Sequence, residues 1–268
     1  MIAAVVPAQN EEYRLGRVLE HLLAINLIDR IFVILNGSNE LTQKEAKTYY
    51  NQHKQNIALV SFPEPLGIDV PRAVGANLAF SAGADYVLFI DGDMVGEYEA
   101  EVRELLEKTK QQQLDLALCD CYPHNSPQEQ YKEAHFHFRY LVNKELGLST
   151  QIKIATPSHG PHVISRRMLS LIPWADYAVP PTLLVHAVWN KFKIGLAGSI
   201  PHLQLGSSIK DQTHNNLITD TIIGDCLEAL CMIHNKPRQR YHEGKMYIGY
   251  HRQRRFDLLQ EFIAGRSM

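Results

Sequence analysis

Short apolar runs alternate with helical patterns through the first part of the chain. Five continuous runs have the length of a strand, and amphipathic segments with apolar side chains three and four residues apart separate them. The predicted strands are Ile2–Val6, Ile31–Leu35, Ile57–Phe62, Tyr86–Ile90 and Leu114–Cys119. The predicted helices are Glu11–Ile25, Leu41–His53, Ala73–Ala82 and Glu97–Lys110.

Strands that are apolar on both faces and alternate with helices predict an α/β fold, with a mainly parallel sheet covered on two sides. Ligands bind such sheets at the carboxyl ends of the strands. The loops at 7–12, 36–40 and 91–94 are therefore expected to carry the function.

The pattern beyond residue 120 is less regular. It predicts helices at 131–146, 166–172, 182–192 and 215–234 and a strand at 194–200. A polar, proline-containing stretch at 122–130 predicts a seam, that is, a boundary between the two parts of the chain. We therefore divide one domain into two halves, 1–120 and 121–268.

Composition and charge narrow the class of protein. The 268 residues are 45% hydrophobic and 21% charged, which is ordinary for a globular α/β protein. The formal charge of −2 gives no field that would attract nucleic acid. No run approaches the roughly 20 apolar residues of a membrane helix, and the N-terminus resembles a buried strand rather than a signal peptide. We expect a cytoplasmic protein without a transmembrane segment.

Cysteines and a group of arginines lead to two further expectations. The four cysteines fit no familiar zinc spacing, so we expect them to be reduced packing residues. They are Cys119, Cys121, Cys226 and Cys231. The basic cluster of Arg252, Arg254 and Arg255 near the C-terminus is interpreted as a solvated face.

The segment Asp91-Gly92-Asp93 follows the fourth predicted strand. Two carboxylates at i and i+2 of an extended segment can face one ligand, and the glycine between them permits close approach of backbone. Carboxylates, together with phosphate oxygens, are usual ligands of Mg²⁺ or Mn²⁺. We favour a metal site over a surface Asp-Gly turn because of this position at the carboxyl end of a buried strand.

Polar loops also follow the first two strands. Pro7-Ala8-Gln9-Asn10-Glu11-Glu12 suits either ligand contact or helix initiation with Asn10 as the cap. Asn36-Gly37-Ser38-Asn39 suits either contact with a base or a turn. Each loop taken alone has both interpretations.

The order of these segments resembles that of the GT-A nucleotide-diphospho-sugar transferases, and of family 2 glycosyltransferases in particular. The resemblance covers roughly the first 120 residues. The motifs that carry it are, in order, Pro-Ala-x-Asn-Glu-Glu, Asn-Gly-Ser-Asn, a Gly- and Ala-rich helix, and Asp-Gly-Asp. The resemblance implies a GT-A, Rossmann-like sheet. By this match residues 1–120 are the nucleotide-sugar-binding half of the domain, and residues 121–268 are a smaller, acceptor-binding half. It also implies a donor site in which Asp91 and Asp93 serve the ribose and the diphosphate-bound metal. The other implied donor-site residues are Pro7, Ala8, Asn10 and Glu11 at the nucleoside, Asn36 and Ser38 near the base, and Gly92 between the aspartates.

Arg72 lies at the start of the Gly- and Ala-rich helix, a region that runs beside the donor diphosphate in this fold. It can neutralise phosphate as a bidentate cation, or it can be an exposed arginine of the first helical turn. Both interpretations stay open.

Inverting glycosyltransferases of this fold carry a carboxylate at the start of a helix near the middle of the second half. This chain lacks that carboxylate. The comparable stretch, residues 178–185, has none, and Asp176 is the nearest candidate base if the reaction is inverting. The missing carboxylate favours the retaining relatives, but it does not decide between retention and inversion of the anomeric configuration.

Two segments resemble the retaining glucosyl- and mannosyl-3-phosphoglycerate synthases. Ser158-His159-Gly160-Pro161-His162, with Arg166 and Arg167 after it, is similar to their Gly-then-Arg-Arg segment. By this match His159, Gly160, Arg166 and Arg167 would border the acceptor. Leu205-Gly206 followed by His214-Asn215 is similar to a stretch whose histidine completes the metal site, which makes His214 the third expected ligand.

The sequence thus predicts a glycosyltransferase that moves a hexose from a UDP- or GDP-linked sugar to a small-molecule or glycan acceptor, with Mg²⁺ or Mn²⁺ as cofactor. Asp93 and Asp91 would be the catalytic metal-binding residues, and a homodimer is a candidate assembly. A non-catalytic nucleotide-sugar-binding protein and a sugar-phosphate nucleotidylyltransferase are the alternatives. The glycine motifs of dinucleotide oxidoreductases and of Walker-type NTPases do not occur.

Overall fold

The computed structural model of the chain describes residues 1–123, 133–208 and 211–265. Seven strands form one sheet in the order β3-β2-β1-β4-β6-β5-β7. The strands are β1 Ile2–Ala8, β2 Arg30–Asn36, β3 Ile57–Phe62, β4 Tyr86–Phe89, β5 Leu116–Asp120, β6 His162–Ser165 and β7 Ile194–Ser199. A separate hairpin consists of β8 Tyr241–His242 and β9 Lys245–Met246.

Ten α-helices occur in the described ranges. They are α1 Leu15–Leu23, α2 Glu40–Gln52, α3 Val70–Ser81, α4 Glu99–Gln112, α5 Ala134–Glu145, α6 Ser149–Ile152, α7 Arg166–Leu169, α8 Pro181–Trp189, α9 Gln212–Ile233 and α10 Phe256–Ala264. The five strands and four helices predicted in the first half are confirmed, with shifts at their ends. The predicted seam falls almost wholly within residues 124–132, outside the described part of the chain.

The sheet is mainly parallel, as predicted. β1 pairs in parallel with β2 on one side and with β4 on the other, so the chain reverses its direction of winding there. Ligand crevices of α/β sheets lie at such points, outside the carboxyl ends of the strands. The short strand β6 was not predicted; it runs antiparallel between β4 and β5 and brings the second half of the chain into the sheet.

Both faces of the sheet are covered, which explains the continuous apolar character of the strands. Ala3 and Val5 of β1 join a core with helices α3, α5, α8, α9 and α10, and Ala4 and Val6 join a second core with α1 and α4. All four cysteines are free and buried, as expected. Among the helices of the described residues, none has the length and apolar character needed to cross a bilayer.

The C-terminal segment does not form the solvated face that its arginines suggested. Arg252 is exposed, but the Arg254 side chain is fully buried and pairs with Asp225 and Asp69. Arg255 is partly exposed and pairs with Glu64. The solvated interpretation is therefore wrong for Arg254, because tertiary contacts supply it with buried carboxylates.

At the amino end of the parallel strands, Asp115 connects three elements. Its carboxylate accepts hydrogen bonds from the Ser165 hydroxyl at 2.7 Å, from the Lys193 backbone N–H at 2.9 Å and from Arg167 at 3.1 Å. These residues lie at the end of β6, just before β7 and in α7. One buried carboxylate thus fixes the end of the antiparallel strand to its neighbours.

We predict that Asp115→Ala lowers the free energy of unfolding by about 1–3 kcal/mol, because buried donors lose their acceptor. Asp85→Ala at the same edge is the matched control, since Asp85 is exposed and pairs with the N-terminus; its cost should be below about 1 kcal/mol. Urea unfolding of both variants measures the difference. Equal costs for the two substitutions would contradict this role of Asp115.

Candidate functional site

The loop after β4 lies directly against the end of β1. The Gly92 N–H donates to the Pro7 carbonyl at 3.0 Å, and a Cβ atom on residue 92 would lie 2.8 Å from the same oxygen. Only glycine permits this approach. The segment that carries Asp91 and Asp93 is therefore held at the carboxyl end of the first strand, as the sequence suggested.

The loop after β2 meets the same edge. The Ser38 hydroxyl donates to the Ala8 carbonyl at 2.9 Å, and the Asn10 side-chain oxygen accepts the Asn39 N–H at 2.8 Å. Asn10 has a φ of 56° and does not cap α1, which begins at Leu15. The helix-cap interpretation of Asn10 is thus wrong, and its side chain joins two loops instead.

Glu11 and Asn36 have local roles in the same region. The Glu11 carbonyl accepts the backbone N–H groups of Arg14 and Leu15 ahead of α1. Asn36 is buried; its amide accepts the Leu66 N–H at 2.6 Å and donates to the Gly67 carbonyl at 3.3 Å. Asn36 therefore braces the loop before α3, and contact with a base stays a prediction for it and for Ser38.

Arg72 is buried, so the exposed-arginine interpretation is wrong. Its Nη2 lies 2.7 and 2.8 Å from the two Asp91 carboxylate oxygens, and its Nη1 lies 3.1 Å from Asp69. Burial lowers the pKa of Arg72, but Asp91 and Asp69 outweigh this effect and raise it. A permanent positive charge is thus fixed beside the first aspartate of the motif.

Asp93 contacts the second half of the chain. One of its oxygens accepts the Ser208 backbone N–H at 3.1 Å and the Ser208 hydroxyl at 2.9 Å. The Gly96 N–H also donates to the Leu205 carbonyl at 3.0 Å, so residues 205–208 lie along the motif loop. Ser208 was not predicted as a site residue, although it lies two residues after the Leu205-Gly206 segment.

His214 lies in the first turn of α9. Its Nδ1 is 2.8 Å from the Tyr250 hydroxyl. Metal-bound histidines usually have their other ring nitrogen held in this way. The ligand atoms of Asp91, Asp93 and His214 are not all within 4.8 Å of one another, so within the described residues this trio is not a preformed three-ligand group. His214 as a metal ligand stays a prediction.

The group of three potential ligands that does meet this distance is Asp225, Glu228 and His251. Arg240 donates to both carboxylates at 2.6 Å, and Arg254 donates to Asp225 at 2.7 Å. Two guanidinium groups thus already neutralise the carboxylates, and the charge pattern does not suit a divalent cation.

The donor set at the β4 loop does fit a hard divalent cation. Asp91 and Asp93 are both partly exposed at the crevice, and carboxylate oxygens are the ligands that Mg²⁺ and Mn²⁺ prefer. Such ions take their remaining ligands from substrate phosphate and water, which an open crevice allows. The observed geometry is thus compatible with the predicted metal-binding role of the motif.

The loop at residues 156–160 borders the crevice from the second half. Its Pro157 carbonyl accepts from Arg72 at 3.4 Å. The His159 ring stacks on Tyr122 with centroids 5.4 Å apart and lies 5.0 Å from the His202 ring. Burial lowers the pKa of His159 well below its ordinary value, and Arg139 lowers it further. His159 is therefore neutral at pH 7, and contact of His159 or Gly160 with the acceptor stays a prediction.

Arg166 and Arg167 do not lie at this edge. They follow β6, whose last residue pairs with Tyr86 at the amino end of β4. Arg166 donates to the Phe80 carbonyl at 2.9 Å, and Arg167 pairs with Asp115 at 3.1 Å. Their prediction as acceptor residues is wrong, because the antiparallel direction of β6 carries them to the opposite end of the sheet.

Asp176 is buried and fully engaged in ion pairs. Arg238 donates to its two oxygens at 2.6 and 2.9 Å, and the His186 Nε2 lies 2.6 Å from it. Burial raises the pKa of Asp176, but these partners outweigh it and lower the pKa below its usual value. This environment does not favour the conditional prediction of Asp176 as a base, since a carboxylate held so firmly by cations is a weak proton acceptor.

Solved structures similar to this one share its fold. One is glucosyl-3-phosphoglycerate synthase from Mycobacterium tuberculosis in complex with Mn²⁺, UDP and glucosyl-3-phosphoglycerate. The TM-score is 0.63 and the sequence identity is 19%, and the match covers 88% of this chain and 81% of that chain. The same enzyme with Mn²⁺, UDP-glucose and phosphoglyceric acid gives TM-score 0.61, 20% identity, and 88% and 80% coverage. A further mycobacterial protein gives TM-score 0.63, 18% identity, and 93% and 82% coverage. These likenesses establish the GT-A fold.

Sequence comparison identifies the family. No curated protein matches the chain. The model of the family described as glycosyl transferase family 2 matches residues 3–172, which is more than half of the chain. The chain therefore belongs to glycosyl transferase family 2 and is a glycosyltransferase.

Proposed function

We propose that this glycosyltransferase moves a hexose from a UDP-linked sugar onto a hydroxyl of a small acidic acceptor, with Mg²⁺ or Mn²⁺ as cofactor. The observation that carries the proposal is the Asp91-Gly92-Asp93 loop, held against β1 with Arg72 beside Asp91. Solved relatives of the same fold contain Mn²⁺, UDP or UDP-glucose, and phosphoglyceric acid, which supports this choice of donor and acceptor over GDP-linked sugars.

In this proposal Asp93 and His214 would hold the cation, with Asp91, which also pairs with Arg72, as a further ligand. When bound, the cation would supply positive charge that stabilises the leaving diphosphate. Ser208 orients Asp93 through two hydrogen bonds, and Arg72 orients Asp91 and adds a positive charge at the crevice. The fixed charge of Arg72 favours the departure of the diphosphate, whose negative charge increases as the bond breaks, because this charge needs no reorganisation during the reaction.

We propose that the reaction retains the anomeric configuration. The start of α8, where inverting members carry their base, has Pro180, Pro181 and Thr182. The Thr182 hydroxyl donates to backbone carbonyls, with the shorter distance of 2.8 Å to Val179. The acceptor hydroxyl would attack from the leaving-group side and pass its proton to the departing phosphate oxygen. This route needs no carboxylate base.

The acceptor is proposed to bind beside the loop at 156–160. A small cavity there is lined by Tyr122, Arg139, Thr156 and His159, among others. Arg139 is buried, and its Nε has no hydrogen-bond partner within the described residues. Arg139 can supply the positive charge that an acidic acceptor needs. Arg166 and Arg167 cannot fill this role because they lie at the opposite end of the sheet.

We predict that wild-type protein binds UDP in the presence of Mn²⁺ and that Asp93→Ala weakens this binding more than tenfold, about 1.4 kcal/mol or more. The loss follows because the cation that bridges protein and diphosphate loses a ligand. Isothermal titration calorimetry with Mn²⁺ and then with a chelator measures both effects. Asp85→Ala, at the opposite end of β4, is the matched control and should bind as wild type. If neither the chelator nor Asp93→Ala changes the affinity for UDP, the proposed metal-dependent site is wrong. If the donor binds but is not consumed with any acceptor, the result favours a non-catalytic binding protein.

We also predict that Asp176→Asn lowers stability but leaves transfer largely intact. At pH 7 the variant should lose about 1–3 kcal/mol, because it removes the buried carboxylate that accepts from Arg238 and pairs with the partly buried His186. The folded-state pKa of Asp176 is lowered, so its stabilisation is present above the unfolded pKa and is lost as pH falls through the folded pKa. The difference from wild type in urea unfolding should therefore shrink below about pH 4. A loss of turnover of several hundredfold in a folded Asp176→Asn protein would instead identify a base and an inverting reaction.

A further inference from the structure

A chain of buried ion pairs runs from the C-terminal region to Asp91. Its members alternate in sign, so each charge has opposite neighbours. They are Glu228, Arg240, Asp225, Arg254, Asp69, Arg72 and Asp91, with successive N···O distances of 2.6, 2.6, 2.7, 3.1, 3.1 and 2.7 Å. The proposed function uses only the last two of these seven residues.

Arg254 is the centre of this chain. Its side chain is fully buried and makes parallel hydrogen bonds of 2.7 Å to both oxygens of Asp225. The same guanidinium donates to Asp69 at 3.1 Å and to the Ile68 carbonyl at 3.3 Å. A fork of this kind fixes two carboxylates at once, which a lysine cannot do.

The backbone around Arg254 also holds the loop before α3. The Arg255 N–H donates to the Leu66 carbonyl at 2.8 Å, and a Cβ atom on Gly67 would lie 2.3 Å from the Gln253 carbonyl oxygen. Asp69, at the end of this loop, has a φ of 62°. The C-terminal segment therefore determines where the Asp69 carboxylate lies.

Asp69 and Asp91 share one cation. Arg72 pairs with Asp69 through Nη1 and with Asp91 through Nη2. Burial raises the pKa of Asp69, and Arg72 and Arg254 act against this. Without Arg254, Asp69 would be a buried carboxylate with Arg72 as its remaining partner in the chain. Because an uncompensated buried charge is costly, Arg72 would then be drawn towards Asp69.

We propose that Arg254 is a positioning residue for the donor site: by neutralising Asp69, it leaves Arg72 to pair with Asp91. Arg254 makes no contact with substrate in this account and acts through two intermediate side chains. The effect on catalysis rests on the proposed function, whereas the effect on the Arg72–Asp91 ion pair does not. Loss of Arg254 would disorder Asp91 and move a positive charge away from the diphosphate.

The test compares Arg254→Gln, Asp69→Asn and the double variant with wild type. UDP affinity in the presence of Mn²⁺ is measured by calorimetry, and the Arg72–Asp91 distance by crystallography. Arg255→Gln is the matched control, since Arg255 is the next residue and pairs with the exposed Glu64 and Asp257 rather than with the buried chain. Arg254→Lys, which keeps the charge, is made in parallel in case Arg254→Gln does not fold.

We expect Arg254→Gln to weaken UDP binding about tenfold or more, Arg254→Lys to weaken it less, and Arg255→Gln to leave it unchanged. Adding Asp69→Asn should restore most of the affinity to either Arg254 variant, because it removes the carboxylate that competes for Arg72. A merely structural Arg254 predicts no such rescue. Unchanged affinity in Arg254→Gln, or a double variant as weak as the single one, would overturn the proposal.

The crystallographic measurement separates this proposal from the proposed function. If wild-type protein binds no nucleotide with Mn²⁺, the proposed function fails. The structure of Arg254→Gln or Arg254→Lys still decides the positioning role: Arg72 turned from Asp91 towards Asp69 supports it, and an intact Arg72–Asp91 pair near 2.7 Å contradicts it.

Discussion

The close contact between the β4 loop and the end of β1 is the constraint on which the site depends. Gly92 lies so near the Pro7 carbonyl that no side chain fits, and the resulting hydrogen bond fixes the loop on both sides of the glycine. Asp91 then meets Arg72 on α3, and Asp93 meets Ser208 from the second half of the chain. One backbone approach thus joins the two parallel strands and brings the second half of the chain to the same edge.

Electrostatics extends this constraint into the protein interior. Each carboxylate on the path from Asp91 to Glu228 has a guanidinium partner, as buried charges require. The consequence is that the C-terminal region, far from β4 in sequence, is physically coupled to the first aspartate of the motif. The same pairing explains why the Asp225, Glu228 and His251 group does not have the character of a cation site, although its geometry alone would permit one.

The sequence predicted those features that depend on local pattern. Continuous apolar runs located the five strands of the first half, and the motif order identified the crevice loops and the role of Gly92. The strand β6 was not predicted, because its four residues lie between a Gly-Pro turn and a short helix and show no hydrophobic periodicity. Its antiparallel direction, which takes Arg166 and Arg167 away from the crevice, is set by pairing with β4 and β5 and not by the local sequence.

Charged residues were the other source of error. Arg254 was interpreted as solvated, and Arg72 as either phosphate-binding or exposed, because an arginine in sequence does not reveal a distant carboxylate partner. Asn10 has the residue type of a helix cap, yet it accepts a hydrogen bond from Asn39 of another loop. Family resemblance supplied the predictions of donor-site residues, but Ser208 and the ion-pair chain required the three-dimensional structure.

The most direct test of the central claim is a crystal structure with UDP and Mn²⁺, in which anomalous scattering locates the manganese. We expect one strong peak at the β4 loop, with Asp93 as a ligand and the diphosphate oxygens completing the coordination. A peak at Asp225, Glu228 and His251, or UDP bound without manganese at Asp93, would contradict it.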